Sequence, residues 1–235
     1  MNLILLHPAD FVAGDRVRLG GRRLAHVRAV HRAAAGDVLR VGVLDGRIGE
    51  GRVTAIDDAA LEMTVVLDRE PPPPAPLRLL LALPRPKVLR RVVQCVAAAG
   101  VKELVLCNAW RVEKSYWSSP SLDDEAVRED LLLGLEQGGD TLLPRVRLER
   151  LFKPFVEDRL AAWAAGTRGL LAHPHATTPC PRGVAEPVTL AIGPEGGFIQ
   201  YELDALVAQG FEPVSLGPRP LRVEHAVAAL LGRLL

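Results

Sequence analysis

The sequence carries almost no net charge: 29 lysines and arginines against 28 aspartates and glutamates leave +1 at pH 7 over 235 residues. Total charge therefore does not announce a nucleic-acid binder. Cysteine is scarce as well. Cys95, Cys107 and Cys180 lie far apart with no C-x-x-C pair, so neither a disulfide framework nor a cysteine zinc site is expected, and a reducing cytoplasm is the natural setting. No uncharged stretch approaches the length of a membrane span, so no membrane association is expected. The apolar run from Met1 to Pro8 is too short for the core of a signal peptide and lacks the basic residues that precede one. It is expected to be a first β-strand. Phosphate cradles are also missing, since neither G-x-x-x-x-G-K-[ST] nor a helix-opening G-x-G-x-x-G occurs.

What is present is an ordinary globular composition, 49% hydrophobic and 24% charged, enough to fold throughout. The charge is unevenly spread. Arg16, Arg18, Arg22, Arg23, Arg28 and Arg32 follow one another with His26 and His31 and no acidic residue between them. Six such charges would repel unless a polyanion met them, which makes this segment a candidate docking patch for a polyanion.

From Arg16 to Leu67, short apolar-polar alternations are broken at Gly20-Gly21, Gly36-Asp37 and Asp45-Gly46, the pattern of a small, mostly β domain with one helix around Arg23 to Ala29. The run Pro71-Pro72-Pro73-Pro74-Ala75-Pro76 cannot form helix or interior strand and makes a semi-rigid spacer. The expected division is 1–70, a linker at 71–76, and a second domain at 77–235. The second part alternates apolar runs with helical patterns, which predicts an α/β fold with a parallel sheet. Strands are expected at Leu77–Leu83, Glu103–Cys107, near Val146, and at Gly169–Ala172, Val188–Ile192 and Pro213–Leu216. Helices are expected at about Pro86–Ala99, Asp123–Gln137, Val156–Ala164, Gln200–Gln209 and Val223–Leu234.

In open parallel sheets, ligands collect at the carboxyl ends of strands. Three loops there draw notice: Ala172-His173-Pro174-His175, Gly193-Pro194-Glu195-Gly196-Gly197-Phe198, and Leu216 to Arg222 with Gly217-Pro218-Arg219-Pro220 inside it. Glycine lets backbone approach a ligand closely and proline stiffens the turns, so together these loops predict a rigid, backbone-lined slot. A nucleoside without phosphates suits it better than a nucleotide. His173 and His175 form an H-x-H pair, and two imidazoles are too few for a metal site, so no metal is expected.

The run Ile192-Gly193-Pro194-Glu195-Gly196-Gly197-Phe198, followed by Pro213 to Glu224, resembles the RsmE family of 16S rRNA uridine N3-methyltransferases, of the SPOUT superfamily. The resemblance extends to Leu24 through Gly46, which is similar to the family's PUA-like RNA-binding domain. It implies a SPOUT α/β domain with a deep trefoil knot, a homodimer, and S-adenosylmethionine held in the knot. Leu171, His173, Ile192, Gly193, Pro194, Gly196, Leu216, Gly217 and Leu221 would surround that cofactor. The substrate would be 16S rRNA in the small ribosomal subunit, with an acceptor site shared between protomers.

Uracil N3 carries a proton that must leave as the methyl arrives, which calls for a carboxylate to take or steer it and a cation to stabilise charge on the uracil oxygens. On that reading Arg222 stabilises the uracil anion and Glu224 orients or deprotonates N3, with Glu195 the alternative base. The chain departs from the family's Arg-x-Glu-Thr at His225, and from its Glu-Gln-x-x-Arg at Asp140, which follows Glu136-Gln137-Gly138-Gly139. Cys95 to Gly100 replaces a Lys-x-x-Glu-Leu-Gly element. Two other readings stay open: a divergent paralogue methylating another RNA site, and a non-catalytic RNA-binding assembly factor.

Overall fold

The computed structural model describes residues 3–235. They form two compact units. The first takes the described residues up to Pro73 and, beyond what the proline boundary anticipates, Leu132–Leu143.

Its strands are β1 (Ile4–Leu6), β2 (Phe11–Ala13), β3 (Arg16–Leu19), β4 (Val38–Val43), β5 (Ile48–Ile56) and β6 (Leu61–Arg69), with helix α1 (Gly21–His26) between β3 and β4. The part of the expected first strand at Met1 and Asn2 lies outside the described residues. The sheet order is β1-β4-β5-β6-β3-β2, antiparallel except for the β1–β4 pair. Strand alternation sets its core: Val17 and Leu19, Leu39 and Val41, and Leu61, Met63 and Val65 point inward at period two and pack with Leu24 and Val27. The expected helix around Arg23 to Ala29 is present, but α1 widens into a π-turn at Val27–His31 that stops at Arg32 with φ 52°. Leu132–Leu143 joins this unit by long-range hydrogen bonds. Leu3 N donates to Glu136 O (3.0 Å), Asp45 N to Thr141 O (2.9 Å) and Leu143 N to Asp45 Oδ1 (2.8 Å).

The second unit is α/β. Its elements are β7 (Leu77–Ala82), α2 (Pro86–Ala98), β8 (Glu103–Cys107), α3 (Asp124–Gly138, which leaves this unit after Leu131), β9 (Arg145–Glu149), α4 (Phe152–Asp158) and α5 (Leu160–Trp163). They continue with β10 (Arg168–Ala172), β11 (Val188–Ile192), α6 (Gln200–Ala208), β12 (Glu212–Val214) and α7 (Val223–Leu234). All strands run parallel in the order β12-β10-β11-β7-β8-β9. β11 is buried at every position, as a strand covered on both faces must be. Helix α2 turns Leu89, Val92, Val93, Val96 and Ala97 inward at helical spacing, and α7 does the same with Val223, Val227, Leu230, Leu231 and Leu234.

Two expectations need correction. The single helix around Val156–Ala164 is two short ones, because Arg159 at φ −127° breaks the helical path between them. The last strand ends at Val214 rather than Leu216, since Ser215 leaves the ladder to bridge Pro179. Among the described residues no helix is long and apolar enough to cross a membrane, and no three His, Cys, Asp or Glu side chains gather as metal ligands would.

Candidate active site

The carboxyl ends of β10, β11 and β12 lie side by side, and the loops leaving them enclose a cavity of about 500 Å³. Ala172 to His175 form one wall, Ile192 to Phe198 a second, and Leu216, Gly217 and Arg219 to Arg222 a third. The first turns of α7 close the cavity with Val223, Ala226 and Leu230, and Arg111, from the loop after β8, joins the lining.

Local chemistry explains why these loops hold their shape. In the second loop Gly197 N donates to Pro194 O at 2.7 Å, closing a tight turn. A Cβ on Gly193 would stand 3.0 Å from Phe198 N and 3.1 Å from its ring, so this turn leaves little room for a side chain. Phe198 is itself buried and packs on Phe152, ring centroids 6.0 Å apart. In the third loop Gly217 has φ +125°, closed to other residues without strain, and its N–H donates to Ser215 Oγ at 3.0 Å. The first loop is tied to the third strand by His173 N donating to Val214 O at 2.9 Å.

Of the residues the sequence pointed to, His173, Ile192, Gly193, Pro194, Gly196, Leu216, Gly217 and Leu221 all line the cavity, with Arg222 and Glu195. Leu171 does not: it is fully buried inside β10, and its neighbour Ala172 reaches the lining instead. Glu224 is not part of the lining either; it occupies the first turn of α7, where a carboxylate suits the helix dipole. Glu195 Oε1 accepts from Arg85 N, at the start of α2, at 3.0 Å. Burial, and after it the neighbouring His175, hold His173 below the ordinary histidine pKa. Their rings meet edge-on at 5.7 Å.

Two supporting residues were missed. Arg111 donates from Nη1 to Gly196 O, bracing the second loop. Glu202, 3% exposed, accepts from Trp110 N (2.6 Å) and Ile199 N (3.0 Å), tying the loop after β8 to the start of α6. The Glu202 contact to Ile199 was legible as a carboxylate three residues past a helix start.

The arginine patch requires a correction. Within the first unit Arg23 binds Asp10 with both terminal nitrogens (2.5 and 2.7 Å) and also donates to Leu5 O, so it is a structural residue. Arg22 pairs with the buried Glu136 at 2.8 Å and Arg28 with Asp58 at 2.5 Å. Arg16 and Arg18 each reach Glu62 at 3.8 Å, and Arg32 has no acidic partner among the described residues. Folding therefore supplies most of these arginines with acids that the local sequence lacks, and their mutual repulsion does not by itself demand a polyanion.

A model described as RNA methyltransferase domain matches residues 71–235. Among curated proteins the chain is similar to Ribosomal RNA small subunit methyltransferase E of Treponema pallidum, 28% identical over 235 residues, 97% of this chain and 88% of that one. Among solved structures it is similar to the Ribosomal RNA small subunit methyltransferase E of Neisseria gonorrhoeae bound to S-adenosyl methionine, with TM-score 0.76 and 19% identity over 98% of this chain and 95% of that one. A putative methyltransferase of Legionella pneumophila, in complex with the same cofactor, gives TM-score 0.72 and 24% identity over 98% and 95%. These structural likenesses agree with the mixed α/β architecture described above.

Proposed function

The chain belongs to the RNA methyltransferase domain family, and we propose that it uses S-adenosylmethionine to methylate N3 of a uridine in small-subunit ribosomal RNA. The observation that carries this reading is the convergence of three strand-end loops on one backbone-lined cavity of about 500 Å³, a size suited to a small cofactor. The residues present fit that group. Ile192, Leu216 and Leu221 offer apolar surface, and Gly193, Gly196 and Gly217 leave backbone accessible. When bound, the cofactor supplies an electrophilic methyl group on a sulfonium.

The chain's own part is to position and to stabilise. Fixing the reacting groups in line is worth roughly 7–11 kcal/mol in the best intramolecular systems. Arg222, at the start of α7 and on the cavity wall, stabilises negative charge spreading to the uracil oxygens. Of the two carboxylates, Glu195 lines the cavity and takes or steers the N3 proton, while Glu224 serves the helix terminus.

The finer expectations belong to the same proposal. The second unit is a SPOUT domain with a trefoil knot, supported by the segment after β10 gripping the end of α7: Gly183 N donates to Arg233 O and Val184 N to Leu234 O, both at 2.9 Å, and Arg233 Nε donates to Cys180 O at 2.6 Å. The first unit, with the prolines at 71–76 as linker, is the PUA-like RNA-docking domain. Its docking surface is the exposed set Arg16, Arg18, Arg28 and Arg32, with Arg22 in support. The protein acts as a cytoplasmic homodimer, and its three thiols are free.

Titration calorimetry with S-adenosylmethionine, followed by turnover on unmethylated small ribosomal subunits, tests the reading. Arg222→Ala should lower turnover by roughly 10²–10³-fold, and Glu195→Gln by at least about 10²-fold. Absence of cofactor binding, or wild-type rates in both variants, would overturn it.

A further inference from the structure

Aromatic residues are few here, yet two of the three tryptophans and one of the two tyrosines, Trp110, Tyr116 and Trp117, fall within the loop that follows β8. Trp117 is half-buried and occupied: its Nε1 donates to Asn108 Oδ1 at 2.9 Å, and the Arg150 guanidinium lies over its ring at 5.0 Å. Trp110 is different. Its side chain stands in solvent, with the residue 79% exposed, more than any other large hydrophobic residue described.

Its backbone is not loose. Trp110 N donates to the buried Glu202 at 2.6 Å, Ala109 before it and Val112 after it are buried, and Val112 N closes the turn onto Ala109 O at 3.0 Å. The next residue, Arg111, lines the cavity and holds the Gly196 carbonyl. A large flat indole is thus mounted on a fixed turn, one residue from a cavity wall, with a guanidinium beside it.

We propose that Trp110 is a stacking platform for an unpaired nucleobase of the substrate RNA, next in the strand to the base that enters the cavity, with Arg111 flanking it. Unstacked bases in single-stranded RNA are held on aromatic faces, and an adjacent cation meets their phosphates. A rigid mount lowers the entropy lost on binding, which is why an exposed indole on a pinned turn serves better than one on a mobile loop. The contact holds the strand in register at the methyl donor. This inference rests on the proposed RNA-methylating function.

The test compares wild type, Trp110→Ala and Trp110→Phe on small ribosomal subunits purified from cells lacking this protein. Filter binding gives affinity without turnover, methyl transfer gives KM and kcat, and calorimetry gives the cofactor Kd. Trp110→Ala should weaken subunit binding and raise KM by roughly tenfold, as loss of one stacked base does, with cofactor Kd unchanged; Trp110→Phe should restore most of the loss. Unchanged affinity and KM in Trp110→Ala would overturn the proposal. So would dissociation of Trp110→Ala into monomers by sedimentation equilibrium, which would assign the indole to contact between copies. If wild type binds subunits through Trp110 and transfers no methyl group, the function proposed above fails while the stacking contact stands.

Discussion

The cavity in the parallel sheet and the arginine segment of the antiparallel sheet are built on opposite principles. The cavity owes its shape to backbone: a glycine turn closed by its own hydrogen bond at Gly193 to Gly197, a left-handed Gly217, and strand-to-loop ties such as His173 N to Val214 O. Charge enters it at few points, Arg111, Glu195, Arg219 and Arg222. The arginine segment is the reverse, a surface where five of six arginines meet acids brought from elsewhere in the unit, Arg16 and Arg18 sharing Glu62. A backbone-made site keeps its form whatever the solvent, whereas a charge-made surface splits into cations spent on structure and cations left for a partner. Arg23 and Arg28 mark the two ends of that division.

The largest effect expected from breaking this contrast is on Arg23. Its side chain is 17% exposed and its partner Asp10 is 11% exposed, so Arg23→Ala leaves a carboxylate in a poorly solvated place with its two strongest donors gone. The cost is about 3 kcal/mol, toward the lower end for a buried pair. Arg28→Ala, whose pair with Asp58 is open to water, should cost under about 1 kcal/mol. Chemical denaturation of both variants measures the difference. RNA binding should rank them the other way: Arg28→Ala reduces the slope of log affinity against log salt by about one. Equal stability losses would show that the arginines are not divided as described.

Next in size is the cavity's dependence on backbone. Gly193→Val forces a branched side chain against Phe198, which cannot retreat because it is buried against Phe152. Overpacking of this kind costs about 1–3 kcal/mol, so cofactor affinity should fall roughly 10–100-fold, read by calorimetry. Replacing the exposed Arg219 by Ala should change it far less. If Arg219→Ala proves the more damaging, charge rather than backbone shape governs this site.

The same contrast decides what the sequence could tell. Strand β11 and the loops after it were legible because their signals are local: a strand buried on both faces reads as an apolar run, and glycine and proline fix turn geometry whatever surrounds them. Helix α7 runs from Val223 to Leu234 as its apolar period required. Leu171 is buried one residue short of the lining, and such a strand has no polar side to mark where its end opens to the cavity. Compensation of the arginines was invisible for another reason: Arg22 and Glu136 are 114 residues apart, and no local pattern pairs them. The attachment of Leu132–Leu143 to the first unit rests on equally distant hydrogen bonds. Arg111 was overlooked because it stands outside the three glycine-bearing loops.

The smallest effect sharpens the comparison from inside the cavity, where the imidazole of His173 stands in the lining. Burial, reinforced by His175, depresses the His173 pKa from 6.5 in the folded state, so the folded protein favours the neutral ring. A histidine depressed in this way contributes no penalty above pH 6.5. As pH falls through 6.5 toward the lower folded value, the unfolded chain takes up a proton that the folded one resists, and stability declines until both forms are protonated. His173 is only half-buried, so the loss is small. Cofactor affinity should follow the same direction, because a protonated ring on the cavity wall would set like charge against a cationic cofactor. Calorimetric titrations between pH 7.5 and 5 should therefore show weakening only in the acid range, and His173→Gln should flatten it. Weakening that persists in His173→Gln would move the proton to another group.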